Sequence, residues 1–452
     1  MKSLFRGAFL RGVSASVLAA SLAACTANPQ ALNRPGDVPA AFTAPASKSA
    51  PVWPQADWWA KFGAEELAPL QATAQKENLD IAQTAARVLQ AEANDGIALS
   101  ALFPSLGGSF NASRSGSNTP TFSGGRARNS FSAGLTASYQ QGFFGTQYLQ
   151  LQAAREDLRA SRYAAAVTGI SISTQVADEY FTTLSFRERI AIANANIAAA
   201  KRILAITQAK VNSGVLSNLE LAEQQAIVAQ QESTLPGYIQ AEKQARYSLA
   251  VLLGRAPEGY DIKAQNLEGI DAPSIQPGLP SELLLRNPSI AQSEAELYAA
   301  HANVDAARSL YFPSLNLSGG AAYGPVAALS SLFGPAGFVW NIGANVAQSI
   351  FDGGRIHAQN DQAQARQQEL IAAYRKTVFG AFQDVEVALD LIKSTNDQLA
   401  LVQTQVKADA EAFSISELQY REGTIDILAL LQNQQNLFQA QQSLVQTKLA
   451  RL

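Results

Sequence analysis

The chain has 452 residues, of which 47% are hydrophobic and only 16% are charged, and its formal net charge at pH 7 is −3. This length is sufficient for two or three domains, and the small negative charge does not indicate a nucleic-acid partner. The only histidines, His301 and His357, lie far apart, and Met1 is the only methionine. We therefore expect no enzyme, no cofactor and no specialised site for copper or silver.

The first residues are typical of a secretory signal. Lys2, Arg6 and Arg11 precede the apolar run GVSASVLAASLAAC, which has the length of a signal core and is too short to span a membrane. We predict a signal peptide over residues 1–24. The only cysteine, Cys25, follows Leu22-Ala23-Ala24 in a pattern that resembles a bacterial lipobox. We expect Cys25 to carry acyl chains such as palmitate, and residues 25–52 to be a lipid-anchored linker.

The rest of the chain contains an internal duplication. Three separate matches share an offset of 209 residues: Phe103-Pro104-Ser105-Leu106 with Phe312-Pro313-Ser314-Leu315, Gly134 with Gly343, and GVLSNLELAEQQ from Gly214 with GTIDILALLQNQ from Gly423. A constant offset over distant matches indicates repeated structure. We predict a first repeat over residues 53–309 and a second over 310–452, each ordered as helix, strand pair, very long helix, sharp break and helix.

Two proline-free stretches, residues 146–211 and 354–420, predict the very long helices. Each would extend about 100 Å at 1.5 Å per residue. Apolar residues in the second follow the four-three spacing of a coiled coil, at Val378, Phe382, Val385, Leu389 and Ile392. A solvated coiled-coil rod would have the same pattern.

Four shorter stretches alternate between apolar residues and small or polar residues, at about 103–113, 131–141, 313–323 and 338–348, and the alternation has no exception over residues 131–140. Each has roughly the ten residues of a tilted transmembrane β-strand. We predict that their apolar face contacts lipid, through Phe131, Leu135, Tyr139, Leu315, Leu317, Tyr323, Trp340 and Ile342. Aromatic residues near the strand ends, such as Phe312 and Phe338, match interfacial girdles. A half-buried sheet in a soluble protein is the alternative for any single strand.

Four strands cannot close a membrane barrel, and an open edge in lipid leaves backbone groups unpaired. Several copies must therefore share one sheet. Three copies would supply twelve strands and would bring the long helices into a ring beneath them.

Several segments carry a family resemblance, and they occur in the family order: WWAKFGAEEL, LAVLLGRAPEG, the stretch from GLPSELLLRNPSI to LYFPSLNLSG, IFDGGR, and YREGTIDILALLQNQQNLFQAQQSLVQ. The chain resembles TolC-like outer-membrane efflux proteins, most closely the lipoprotein type that serves resistance-nodulation-division (RND) pumps. The family pattern departs at Asn287 and Ser289, where Arg and Asp are usual around Pro288.

The resemblance implies a mostly α-helical protein with a transmembrane β-barrel. Three chains would form a twelve-stranded barrel that continues into a long α-helical coiled-coil tunnel, with a small mixed equatorial domain. The implied function is the outer-membrane exit duct of a tripartite pump, which passively exports drugs or other small molecules from a Gram-negative cell. The implied partners are two further copies of the chain, outer-membrane lipid, a periplasmic adaptor protein and an inner-membrane RND transporter.

The resemblance also implies that the two helical turns farthest from the membrane constrict the tunnel and meet the adaptor. These tips fall on about residues 212–220 and 421–428. The implied gate and adaptor residues are Gly214, Ser217, Asn218, Leu219, Glu220, Tyr420, Arg421, Glu422, Gly423, Asp426 and Leu428. Local chemistry offers another role for some of them, because Gly214 and Gly423 suit helix C-termini, while Ser217 and Asp426 suit N-caps.

Two other functions compete with drug export. The same fold serves as the outer-membrane duct of type I protein secretion, although the lipobox and the pump-type segments favour efflux. A periplasmic lipoprotein scaffold, whose sheets pack on soluble partners, is a possibility of a different class.

Overall fold

The structure is a computed structural model that describes residues 57–116, 127–275 and 280–452. The predicted signal peptide, Cys25 and the predicted linker lie outside the described residues. The first part of the described chain contains a short 3-10 helix at Trp58–Phe62, followed by α1 (Leu67–Glu77), α2 (Leu79–Ser100), β1 (Ser105–Ser115), β2 (Arg128–Gly142), α3 (Thr146–Asn212) and α4 (Asn218–Leu252).

The second part repeats this order after a short α5 (Pro280–Arg286). It contains α6 (Pro288–Ser309), β3 (Ser314–Val326), β4 (Phe338–Ala347), α7 (Arg355–Glu422) and α8 (Ile427–Arg451), with short 3-10 turns between the two strands. A helix, two strands, a very long helix and a further helix thus occur twice. The helix that opens the second copy, α6, lies before residue 310 and therefore within the range predicted for the first repeat.

The helices α3 and α7 have 67 and 68 residues, so each is about 100 Å long. The observed bounds differ by at most two residues from the predicted 146–211 and 354–420. Within the described residues, α3 also contains an 18-residue window with a mean hydropathy of 1.3, which would be apolar enough to cross a membrane. Core helices of soluble proteins meet the same criterion, and 39% of this window is buried.

The four strands form one antiparallel sheet in the order β1-β2-β3-β4. Residues directly opposite each other in neighbouring strands lie on the same face of a sheet. Phe110, Ala133, Tyr323 and Phe338 form one such row across all four strands. The register places all eight residues that were predicted to contact lipid on this same face.

A compact core surrounds the middle of α3 and contains the segment that follows α4. It includes Phe62, Leu67, Tyr180 and Leu253. The guanidinium of Arg187 anchors that segment, because it binds the Glu242 carboxylate at 3.1 Å and donates to the carbonyl oxygens of Ile262 and Ala264 at 2.8 and 2.7 Å. Burial raises the pKa of Tyr180 to about 12.

Candidate channel and helical tips

The second face of the sheet is polar and uncharged along most of its length. Ser105, Ser138 and Ser318 form one row across three strands, and the Oγ atoms of Ser105 and Ser138 lie 2.8 Å apart. The neighbouring row nearer the helices consists of carboxamides, from Gln140, Asn316 and Asn345. This face can form hydrogen bonds with water and with polar solutes along its whole length, whereas the opposite face is mainly apolar.

The apolar face is exposed in a single chain. Ile342 is 83% exposed, Trp340 69% and Leu135 56%. Large side chains of this kind rarely form a continuous exposed sheet face in a soluble monomer. An apolar face backed by a polar face is the arrangement of a barrel with lipid outside and water inside.

The two outer strands, β1 and β4, each pair on one side only within the described sheet. All their residues are exposed. In lipid, these unpaired backbone groups would each cost several kcal/mol. The sheet is therefore incomplete as a membrane structure and requires strands from other copies.

Aromatic side chains gather at both ends of the sheet. Near the helices, the ring centroids of Phe144 and Phe312 are 3.9 Å apart. At the far end, the centroid of the Tyr323 ring lies 5.5 Å from that of Phe333 and 5.2 Å from that of Phe338. The strand between Phe312 and Tyr323 spans roughly 36 Å along its axis at about 3.3 Å per residue. Tilted by about 40°, it would cover roughly 28 Å, close to the height of a barrel's apolar band.

The first helical tip joins α3 to α4. Gly214 has φ of 76°, and the Val215 amide donates to the Lys210 carbonyl oxygen at 2.9 Å, which closes the end of α3. Ser217 caps α4 by accepting from the Leu219 amide at 3.2 Å, and the Ser217 amide donates to the Glu220 carboxylate at 3.0 Å. The hydrogen bond from the Ser217 hydroxyl is the main reason that the pKa of Glu220 is lowered.

The second tip joins α7 to α8 in a similar way. Gly423 has φ of 79°, and the Thr424 amide donates to the Gln419 carbonyl oxygen at 2.9 Å. Asp426 then caps α8 through a hydrogen bond from the Ala429 amide at 2.9 Å. The capping geometry expected for Gly214, Gly423, Ser217 and Asp426 is thus present at both tips.

Tyr420 occupies a different environment from the other tip residues. Its side chain is only 2% exposed and lies in a cluster that joins all four helices of the two tips, including Ile203, Ile227 and Leu430. Its hydroxyl lies 2.9 Å from the Thr207 hydroxyl oxygen. Burial is the main cause of the raised pKa of Tyr420.

Lys210 strengthens the same contact from α3. Its ammonium nitrogen lies 4.3 Å from the centroid of the Tyr420 ring and donates to the Tyr420 carbonyl oxygen. Close by, Glu417 binds Arg421 within α7 at 3.2 Å and Arg202 of α3 at 3.5 Å. The two tips of one chain are therefore fastened to each other by a buried hydrogen bond, a cation–π contact and an ion pair.

The remaining predicted tip residues are solvent-accessible. Asn218, Arg421, Glu422 and Asp426 are exposed. Three apolar side chains of the tips are also exposed, namely Val215 at 70%, Leu219 at 67% and Leu428 at 60%. The end of the helical body thus presents apolar side chains beside carboxylates. The sequence analysis identified Leu219 and Leu428 but missed Val215.

The sequence analysis also missed Thr207, Lys210 and Glu417, because nothing along the chain shows which residue of one tip meets the other. The offset of 209 residues could have indicated that the tips are equivalent, but it does not specify their contacts. Among the described residues, no three His, Cys, Asp or Glu side chains converge in a group suited to a metal ion.

Comparisons with known proteins agree with this architecture. A family model described as outer membrane efflux protein matches residues 70–255 and 279–452. The chain is 37% identical over 402 residues to the pyoverdine export outer membrane protein OpmQ of Pseudomonas aeruginosa, covering 87% of this chain and 84% of OpmQ. It is 28% identical over 402 residues to the cation efflux system protein CusC of Escherichia coli K12, covering 88% of this chain and 86% of CusC.

Solved structures give the same result. The fold matches a crystal structure of CusC with a TM-score of 0.78 and 26% identity, over 91% of this chain and 95% of the other. It matches the open state of the Neisseria gonorrhoeae MtrE outer membrane channel with a TM-score of 0.81 and 27% identity, over 92% and 93%. The predictions of a TolC-like fold, an efflux function and an outer-membrane location are confirmed. The chain belongs to the outer membrane efflux protein family and is an outer-membrane channel of an efflux pump.

Proposed function

We propose that three copies of this chain form the exit duct of a tripartite pump that also contains a periplasmic adaptor and an inner-membrane RND transporter. The observation that carries the proposal is the one-sided sheet with two unpaired edges, joined to helices of about 100 Å. Three such sheets would close into a twelve-stranded barrel, and the helices would continue it across much of the periplasm. In this proposal the chain is a passive duct, and the transporter supplies the energy.

The tips of the two helical hairpins are the proposed gate and the proposed adaptor contact. The support is their chemistry: exposed Val215, Leu219 and Leu428 offer apolar contacts, and exposed Glu422 and Asp426 offer charge. Repeated by threefold symmetry, carboxylates at a constriction would favour cations. Tyr420 is a positioning residue in this proposal, because its side chain is buried within one chain instead of facing a pore.

Lipid would hold the duct at two places. Acyl chains on Cys25 would anchor the N-terminus, and the apolar sheet face, including Leu135, Trp340 and Ile342, would contact the membrane interior. Each buried methylene of an acyl chain contributes about 0.8 kcal/mol of membrane affinity.

We further propose that the cargo is a small hydrophilic organic compound of the siderophore type. The support is the 37% and 33% identity to pyoverdine export proteins of two Pseudomonas species, compared with 28% to CusC. The uncharged hydroxyl and carboxamide rows of the polar sheet face suit a solute rich in hydrogen-bonding groups. With Met1 as the only methionine, the chain lacks the thioethers that bind soft metal ions.

Purified protein in mild detergent tests the duct directly. We expect a trimer in light scattering and discrete pores in planar bilayers, because one chain cannot close the barrel. A monomer without pores would contradict the proposal and would favour a periplasmic scaffold.

A gene deletion tests the cargo. Under iron limitation, we expect the mutant to retain siderophore inside the cell, while secreted proteins remain unchanged. Loss of a secreted protein with normal siderophore export would instead favour type I secretion.

A further inference from the structure

The charges of the sheet region are distributed very unevenly. From Gly96 to Ala154, the only charged residues are Arg114, Arg126 and Arg128, and from Ser309 to Phe351 there are none. The sheet and its connecting loops therefore contain three positive charges and no carboxylate. Arg126 lies outside the described residues, whereas Arg114 and Arg128 are both described.

Both described arginines lie at the end of the sheet that is farthest from the helices. Arg128 pairs with Ser115, and Arg114 pairs with Asn129, in the last two rows of the β1–β2 ladder. This ladder is uninterrupted from the Ser105–Ser138 pair outwards. It continues five residues beyond the aromatic row that contains Phe110, which corresponds to about 17 Å along the strand.

The two arginines lie on opposite faces of the sheet. Counting by twos from Phe110 in β1 leads to Ala112 and Arg114, so Arg114 shares the apolar face. Counting by twos from Ser138 in β2 leads to Arg128, so Arg128 shares the polar face with the serine row. Both side chains are exposed, and within the described chain neither forms an ion pair.

We infer that Arg128, contributed by each of three copies, forms an anion-binding ring at the extracellular mouth of the channel, and that its ligands are multivalent oxyanions or polycarboxylates. The inference rests on the proposed trimer, in which the polar sheet face lines the pore. It assigns a ligand class to a part of the molecule that lies at the opposite end from the helical tips.

Simple geometry supports a shared site. Where all four strands of each chain pair, a closed barrel of twelve strands spaced about 4.8 Å apart and tilted by about 40° has a backbone radius of roughly 12 Å. The β1–β2 hairpins continue beyond the Tyr323–Phe338 pair, and if they keep this radius, arginine side chains that extend inwards would place three guanidinium groups on the order of 10 Å apart. This separation is comparable to the Debye length of about 10 Å at 0.1 M salt, so the three fields would overlap. Guanidinium groups also bind planar and tetrahedral oxyanions in bidentate fashion.

The lack of neighbouring carboxylates strengthens the site. An arginine paired with an aspartate offers little net charge to a ligand. The sequence of the sheet and its connecting loops contains no Asp or Glu that could pair with Arg128. The exposed carboxylates of the channel, such as Glu422 and Asp426, lie at the other end of helices about 100 Å long. They are too distant to compete, since screening acts over about 10 Å.

Tripolyphosphate is a suitable probe, and Arg114→Gln is a matched control for Arg128→Gln. Both variants remove one positive charge per chain from the same end of the same two strands, but from different faces. With wild-type protein in planar bilayers at 50 mM KCl, we expect tripolyphosphate on the extracellular side to block the current. Arg128→Gln should weaken the apparent affinity at least tenfold, Arg114→Gln should leave it within about twofold, and 1 M KCl should abolish the block.

Two results of the current recordings would overturn the inference: equal loss in both variants, or loss only in Arg114→Gln, which would mean that the faces are reversed. Calorimetric titration of tripolyphosphate into detergent-solubilised protein separates this inference from the proposed duct. Binding that depends on Arg128 in a protein that conducts no current would support the ring while contradicting the duct. Pores without any Arg128-dependent binding would support the duct and refute the ring.

Discussion

The buried contact between Tyr420 and Thr207 gives the sharpest prediction about gating. Tyr420→Phe removes only the hydroxyl, since the phenyl ring still fills the cluster and still lies under the Lys210 ammonium. Thr207 keeps its second hydrogen bond, to the Ile203 carbonyl oxygen at 3.0 Å, so no donor is left unpaired. The loss should therefore lie within the range of about 0.5–1.5 kcal/mol that is typical of a single buried hydrogen bond.

This free energy can be converted into a gating effect. An opening that separates the two tips must break the hydrogen bond, so its removal should favour the open state. Since about 1.4 kcal/mol corresponds to a factor of ten, we expect a roughly two- to tenfold increase in the ratio of open to closed channels. Single-channel recording in planar bilayers measures this ratio directly.

A matched variant and a double-mutant cycle make the result interpretable. Tyr148→Phe makes the same change at a side chain that is 58% exposed and far from the tips, and it should leave gating unchanged. Thr207→Val combined with Tyr420→Phe should give much less than the sum of the single effects, because both remove the same bond. Additive effects, or wild-type gating in Tyr420→Phe, would refute the idea that this bond holds the tips together.

Three further predictions concern the membrane face, the first tip and the anchor. Ile342→Arg on the apolar face should cost about 2–4 kcal/mol and reduce the amount of trimer in outer-membrane fractions, whereas Asn341→Arg on the polar face should be tolerated there. Because the folded pKa of Glu220 is lowered, its stabilisation of the first tip is present above its unfolded pKa and is lost as the pH falls through the folded pKa. Hydrogen exchange of peptides from the first tip, corrected for intrinsic rates, should show this loss in the wild type, and Glu220→Gln should remove the pH dependence. If the variant kept the pH profile of the wild type, Glu220 would not be the group responsible. Cys25→Ala should abolish incorporation of radiolabelled palmitate, and persistent labelling would disprove acylation at that residue.

The membrane sheet was predictable because each side chain of a strand faces either lipid or water. That physical constraint leaves a period of two in the sequence, and the observed β3 (Ser314–Val326) begins within one residue of its prediction. The strands β1 and β2 extend beyond their predicted ends, to Ser115 and Arg128. Alternation of hydrophobicity stops there because the hairpin has passed the aromatic row, so the pattern contained no information about these last pairs.

Other features depend on contacts that no local pattern records. The segment after α4 has little regular structure, and Arg187 fixes it through main-chain carbonyl oxygens that any residue could provide. Tyr420 is a similar case, since its place among the exposed tip residues concealed that its side chain points into the cluster between the hairpins. Sequence position predicted the tips, but only the packing shows that Tyr420 is buried whereas Asn218 and Asp426 are exposed.

The unpaired outer strands, β1 and β4, also have a genetic consequence. If each barrel draws three chains at random, a cell that makes equal amounts of normal chain and of a chain defective in β4 would contain only about one fully normal channel in eight. Such a defect would behave as dominant. The same damage in a barrel built from one chain would affect only the defective copies.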